Sequence, residues 1–188
     1  IASGHFDDYT LDPESGEVAG GTKYFDIAGS TTGVDSTAVP VVSDDKKSLT
    51  LTYGTPFVDW NLVGLIDQPI HVVADKAGVT VEELVKAITT APAGDPAAPA
   101  TPNATIKAAA DFWNTGFDVT GLPEDKSLYL SSGPFVVDEW APTQSVSLKL
   151  NDKYTGDLKP AYTQMVVRFI GDANAQVTAL QNGEVDVI

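Results

Sequence analysis

The stretch from Ser131 to Ile188 constrains the fold more than any other part of the chain, because its breaks and its apolar periods can be read together. Gly133-Pro134 opens a run of aromatic and β-branched residues, Phe135 to Trp140, and Ala141-Pro142-Thr143-Gln144 breaks it. Such a composition between such breakers predicts a strand. Ser145 to Leu150 then alternates small polar with apolar residues, so Val146, Leu148 and Leu150 fall on one face at a strand's period. So short a break between two runs of this kind predicts a hairpin. Asn151 to Pro160 is rich in Asn, Asp, Gly, Lys and Pro, with Tyr154 its one aromatic side chain, and reads as an exposed loop. The nearly continuous apolar run Met165 to Ile170, interrupted by Arg168, predicts an interior strand covered on both faces. Asp172 stands where an N-cap belongs, Ala173, Val177 and Leu180 recur at helical spacing, and Gly183 lies where a helix stops. Val185 to Ile188 returns to strand character, so the order strand, helix, strand predicts a β-α-β unit.

This order of residues resembles the extracellular solute-binding proteins of family 5, the peptide, oligopeptide and nickel receptors of ABC importers. The family pattern is a G-P-[FY] strand ending in an acidic-aromatic pair, an N-x-x-Y loop, Lys-Pro, an apolar strand with Arg, an Asp-capped helix, and L-Q-x-G-E-[VI]-D. Here those features are Gly133-Pro134-Phe135, Glu139-Trp140, Asn151 to Tyr154, Lys159-Pro160, Val166 to Ile170, Asp172, and Leu180-Gln181-Asn182-Gly183-Glu184-Val185-Asp186. Many features in one order form a far more specific signal than a lone motif. Thr155 departs from the pattern, since many members carry Trp there.

The resemblance implies an α/β fold: part of lobe I of a periplasmic-binding-protein-like II fold, a mixed sheet with flanking helices. It further implies that a peptide or similar small polar solute binds between two lobes, and that the closed receptor docks on a membrane permease. The setting it implies is periplasmic or extracellular, as a lipoprotein whose anchor is not in these residues. Family members are far longer, so the chain is expected to be an internal piece of lobe I, cut before the hinge to lobe II. Two regions are expected: residues 1–130, irregular and helical, and residues 131–188, the hairpin with the β-α-β unit.

Composition narrows the partners. A net charge of −15, with eleven basic residues spread thinly, makes nucleic acid a poor partner, because phosphate binding needs clustered Lys and Arg. The chain has no cysteine, which removes disulfides, thiolate chemistry and sulfur-ligated metals together. No apolar run approaches the roughly 18–20 residues of a membrane-spanning helix.

Along the first region, Ile1 to Val42 is Gly/Ser/Thr/Asp-rich with Phe6, Tyr9, Tyr24, Phe25 and Ile27 as anchors, and predicts irregular structure with one short helix. Asp12-Pro13-Glu14-Ser15-Gly16 is similar to an oxygen-rich calcium loop but lacks too many ligands, so a solvated turn is expected. Asp44-Asp45-Lys46-Lys47 predicts a turn, Ser48 to Tyr53 a strand, and Phe57 to Asp67 an aromatic helix. In the family these correspond to a D-D-x-T strand and the segment after it, and Gln68 to Val73 fills the place of a P-I-x-P-K-H-like segment, with His71 aligned. Val79 to Thr89 predicts an amphipathic helix capped by Thr80, with Glu82 and Glu83 in its first turn. Ala91 to Pro102 predicts a mobile Ala/Pro/Gly loop, and a second helix over 103–115 follows, capped by Asn103 and closed by Gly116. Phe117 to Lys126 then carries the chain to a strand after Asp125.

Chemistry is sparse. Asp138 and Glu139 are adjacent on a predicted strand and so are expected on opposite faces, wrong for a carboxylate pair acting on one bond. His5 and His71 are the only imidazoles and are distant from each other, with no metal-ligand spacing around them. Hydrogen-bonded structural roles are expected for both. No G-x-S-x-G elbow accompanies Ser131 and Ser132. No catalytic residue, metal or cofactor is therefore assigned, and an enzyme is not expected. Arg168, the only arginine, is expected to pair with a local acid in preference to clamping a ligand carboxylate. Trp140 and Trp113 read as packing residues, while Trp60 and Tyr154 stay open as stacking surfaces. The ligand-binding candidates are Trp60 and, because the family's Gly-Pro turn lies near the interlobe region, Ser131, Ser132 and Gly133. Two other classes compete: a self-contained cell-surface binding or adhesion module, and a hydrolase.

Overall fold

Asp12 accepts hydrogen bonds from the backbone N–H groups of Glu14 and Ser15 on one carboxylate oxygen, folding the chain back on itself. Gly16 completes the turn at φ +73°, a conformation that costs glycine nothing. The turn joins strands β1 (Thr10–Leu11) and β2 (Val18–Gly20), an antiparallel pair. This computed structural model describes residues 5–26, 33, 36–38, 40–45, 47–62 and 68–188. Among the described residues up to Val42 there is no α-helix and only His5 is in 3-10 conformation; turn-forming Asp and Ser side chains compete there with the helical backbone.

The expected strand over Ser48 to Tyr53 is much shorter. Regular strand is confined to β3 (Val41–Val42) and β4 (Leu49–Thr50), paired around a turn in which Ser43 donates to Asp45, and the pairing resumes as one bridge between Thr37 and Tyr53. Pro40, without an N–H, stands directly before β3 and interrupts the ladder, and every residue of the two strands is exposed. Phe57 to Leu62, the described part of the expected aromatic helix, forms turns instead; residues 63–67 lie outside the described residues.

Three helices carry the core of the first compact unit, Ile1–Phe117. The sequence gives no sign of α1 (Ile70–Lys76), which starts after Pro69 and buries Val72, Val73 and Ala74. In α2 (Val81–Thr90) the Thr80 hydroxyl accepts from the Glu83 N–H while Glu83 reaches back to the Thr80 N–H, a complete capping box. Asn103 caps α3 (Ala104–Thr115) through the N–H groups of Thr105 and Ile106. One cluster packs Val73, Ala74, Leu84 and Ala109, and another packs Phe6, Tyr24, Ile106 and Ala110.

The Ala91–Pro102 segment is expected to be mobile, yet it is tied down along its length. Gly94 N–H donates to His5 O, Ala100 N–H to the Asp8 carboxylate, and beyond its end Asn103 N–H to the Tyr24 hydroxyl. Gly94 lies so close to the Asp7 backbone that a Cβ would meet its carbonyl oxygen at 2.2 Å. Its partners are far away in sequence, which is why composition alone reads as a loose loop.

The second unit, Asp118–Ile188, is built on a three-stranded antiparallel sheet. Asp125 caps a single 3-10 turn, Lys126–Tyr129, where a strand is expected. Strand β5 (Phe135–Ala141) pairs with β6 (Ser145–Leu150), which pairs with β7 (Gln164–Arg168). Thr143, at φ 62°, turns the hairpin. The register slips at Asp138: Val137 faces Leu148 and Glu139 faces Ser147, leaving Asp138 as the extra residue of a bulge. The slip places Phe135, Val137 and Trp140 on the same face as Val146, Leu148, Leu150, Met165 and Val167, a wholly apolar surface.

Helix α4 (Ala173–Gln181) follows, capped by Asp172 through the Ala175 N–H, and Gly183 ends it at φ +70°. Two expectations fail beside it. Strand β7 is an edge strand with Val166 and Val167 exposed, not an interior one. Val185 to Ile188 forms no strand, so the β-α-β unit lacks its last member. A strand needs a partner to satisfy its backbone, and an open groove separates this segment from β7.

Candidate functional site

The Gly-Pro turn before β5 is held by Asn151, which the sequence marks only as the first residue of the N-x-x-Y loop. The side-chain amide of Asn151 donates to Gly133 O at 2.8 Å and to Ser131 O at 3.2 Å. Its backbone N–H donates to Pro134 O at 2.8 Å, and its side-chain oxygen accepts from the Lys153 N–H. Ser131 closes the turn from inside, its hydroxyl donating to Phe135 O at 2.7 Å and accepting from the Gly133 N–H. Ser131 and Gly133 therefore spend much of their hydrogen-bonding capacity on the turn. Ser132, at the apex, is exposed and makes no hydrogen bond among the described residues. The N-x-x-Y motif marks Asn151 without giving its role; the signal for that role is an asparagine directly after a strand, a position suited to turn capping.

Trp60 is 62% exposed on a turn flanked by exposed Val58 and Leu62. Its carbonyl accepts from the Tyr53 hydroxyl, and the Tyr53 ring stacks on Phe57 at 6.3 Å, so the backbone is anchored while the indole makes no hydrogen bond among the described residues. Trp113 packs edge-on against Phe25, 5.5 Å between centroids. Trp140 lies on the apolar sheet face and its buried indole N–H has no partner among the described residues. The Tyr154 ring packs against Gly156, where a Cβ would meet its hydroxyl at 2.3 Å.

The sheet bulge reverses the expectation for Asp138 and Glu139. Both fall on the polar face, opposite Ser147 and beside Lys149, because the extra residue moves the second carboxylate across. They still do not form a working pair: Asp138 holds Lys149 at 2.5 Å, an ion pair that raises the Lys149 pKa. Arg168 pairs with Glu184 at 3.3 Å, and Glu184 sits below its ordinary pKa through Asn182 first and Arg168 second. His5 and His71 are both exposed, and neither imidazole makes a hydrogen bond among the described residues, contrary to the structural roles expected. His5 only meets the Phe6 ring, edge-on at 4.9 Å. No group of three or more His, Asp or Glu side chains among the described residues is placed to hold a metal ion. No helix among them is long and apolar enough to cross a membrane.

A family sequence model, that of the bacterial extracellular solute-binding proteins, family 5 (middle), matches residues 8–188. The chain belongs to this family. Its members are periplasmic or extracellular binding proteins. Among solved structures, the chain is similar to a periplasmic EDTA-binding protein, EppA, in an orthorhombic crystal form. The two share 24% identity and superpose with a TM-score of 0.54, which establishes the mixed α/β fold as a fragment of a periplasmic-binding-protein fold. That match covers 84% of this chain and 23% of the neighbour, so the chain spans about a quarter of its length. A search of curated proteins finds no match.

Proposed function

We propose that this chain is part of lobe I of a receptor that captures a peptide, or a similar small polar solute, between two lobes and delivers it to an ABC import permease. The single observation that carries the reading is the family match across residues 8–188. Receptors of this type work by binding their solute more tightly in the closed form than in the open one, so that capture shifts the population toward closure. The protein is a binder and not a catalyst, in keeping with its family, and its Asp138 and Glu184 carboxylates are held in ion pairs. It works outside the cytoplasmic membrane, in the periplasm or as a lipid-anchored surface protein.

Trp60 in the first unit and, taken separately, the Ser131-Ser132-Gly133 turn in the second are each proposed as a candidate solute contact. Support comes from their availability: an exposed indole on an anchored backbone, and an unengaged Ser132 at the tip of a clamped turn. The solute is expected to be neutral or cationic. A net charge of −15 with one arginine offers poor compensation for a polyanion, whatever a structural neighbour binds. The test is titration calorimetry of the full-length receptor against short peptides, repeated with Trp60→Ala and Ser132→Ala. Each variant should weaken binding about tenfold, on the order of 1.4 kcal/mol, with thermal stability unchanged. A receptor that ignores peptides, or binds them equally well with both changes in place, refutes this reading.

A further inference from the structure

Helix α4 ends on the one Asn-Gly pair of the chain, Asn182-Gly183; every other asparagine is followed by a residue that carries a side chain. The pair matters chemically because a backbone nitrogen can attack the side-chain carbonyl carbon of the asparagine before it, and a Cβ on the attacking residue stands in the way. Gly183 has none. The direction a Cβ would take there meets no atom of the described residues within 4 Å, so a ring has room to form.

The ending of the helix holds the pair in place. Gly183 N–H donates to Leu180 O at 3.1 Å and Glu184 N–H to Ala179 O at 2.8 Å, around Gly183 at φ +70°. This pattern of two bonds around a left-handed residue is the helix ending that glycine favours. Asn182, at φ −80° and ψ −4°, keeps a helical backbone, and its side-chain N–H donates to Glu184 Oε1 at 3.3 Å. Attack needs the Gly183 N–H freed from Leu180 and the Asn182 backbone turned out of the helical region. Both are local events, because Asn182, Gly183 and Glu184 are exposed and Ala179 is the one buried residue of α4. An exposed helix end opens at little free-energy cost, long before its unit unfolds. Asn103, Asn114 and Asn151, in contrast, have their side chains engaged by backbone groups.

We infer that Asn182-Gly183 is a site of spontaneous covalent modification, at which asparagine becomes aspartate or isoaspartate and the end of α4 is loosened. The Gly183 nitrogen, giving its proton to hydroxide, bonds to Asn182 Cγ; the Cγ–Nδ2 bond breaks, and the side-chain nitrogen takes a proton from water and leaves as ammonia. Water then opens the cyclic imide at either carbonyl, so the chain continues through the old backbone carbon as aspartate or through Cγ as isoaspartate. Water is the only reagent consumed. Either product puts a negative charge at the negative end of the helix, where it is unfavourable. It also stands beside Glu184, which loses the hydrogen bond that does most to lower its pKa. Arg168, which holds Glu184 at 3.3 Å, then has a second carboxylate competing for it. Isoaspartate further lengthens the backbone inside the helix ending, which takes Glu184 N–H out of register with Ala179 O.

Peptide mapping of the full-length protein, incubated at neutral and at mildly alkaline pH, tests the inference, with isoaspartate distinguished from aspartate by fragmentation. Conversion should occur at Asn182 ahead of every other asparagine and rise with hydroxide concentration. It should run within about a hundredfold of the rate in urea, since only the helix end has to open. Slower conversion than that, or conversion at Asn182 no faster than elsewhere, would overturn the inference. Asn182→Asp and Asn182→Ser separate the added charge from the lost amide: amide exchange at Glu184 should be at least about threefold faster with aspartate than with serine. Equal exchange in the two variants would overturn the loosening of α4. Neither readout involves solute binding, so both stand whether or not the receptor takes peptides.

Discussion

Replacing Asp8 with alanine should loosen the first unit by far more than a change at an acidic surface residue would. Asp8 is 5% exposed, and its two carboxylate oxygens have separate tasks. One accepts from the Thr22 N–H at 2.6 Å, the other from the Ala100 N–H at 2.8 Å, so one side chain fastens the β1–β2 region to the segment before α3. Hydrogen bonds to a charged acceptor contribute about 1.5–3 kcal/mol each, which gives roughly 3–6 for the pair. Part of that is returned, because alanine no longer requires a carboxylate to be stripped of water, a cost of a few kcal/mol. Thr22 N–H is left buried and unpaired, which adds about 1–3 kcal/mol back. The net loss should be about 2–4 kcal/mol, and Asp8→Asn, which keeps one acceptor oxygen, should lose about half as much. Native-state amide exchange at Ile106, Ala109 and Ala110 in α3 reads this directly, since those amides open only when the unit's core opens. A loss under about 0.5 kcal/mol for Asp8→Ala, the range of ordinary surface changes, would refute the claim that this carboxylate fastens the two segments.

Three further outcomes are expected. Thr80→Ala and Asp172→Ala, each removing a helix cap, should cost about 1 kcal/mol apiece, read as faster exchange in α2 and α4 respectively. The Asp7 carboxyl is pushed above the ordinary aspartate range by burial first, with Asp8 adding to it and the Tyr24 N–H and Lys23 opposing. The folded state therefore holds its proton over an interval where the unfolded chain has lost it, so stability should fall as pH rises from the ordinary aspartate pKa through the raised one; urea titrations should show Asp7→Asn flattening that slope. Asn151→Ala should free the carbonyls of Ser131 and Gly133 at a cost of about 1–2 kcal/mol, with chemical-shift changes in the turn and none in α4.

How much of this was legible depends on how far apart the cooperating residues are. The caps Thr80, Asn103 and Asp172 act on N–H groups two or three residues away, so residue type and position sufficed. The hairpin was readable because alternation and its breakers are local. Asp8 was not: its partners lie at Thr22 and Ala100, and nothing near Asp8 in the sequence hints at either. The same distance hid the restraints on Ala91–Pro102, and it hid what Asn151 does, which is to hold a turn formed much earlier in the chain. Strand β7 failed for a different reason. Apolar sequence reports what a strand is suited to pack against, and Val166 and Val167 stand exposed here for want of a neighbour.

The bulge at Asp138 also sets what changes of length the hairpin can absorb. Removing that residue would bring Val137 and Glu139 into plain succession opposite Leu148 and Ser147, with Trp140 still facing Val146. A deletion anywhere between Phe135 and Val137 has no such slack, and would turn the outer part of the strand over, exchanging greasy for wet. Relatives that differ by one residue in this hairpin should therefore differ at this place, and their alignment gaps belong there.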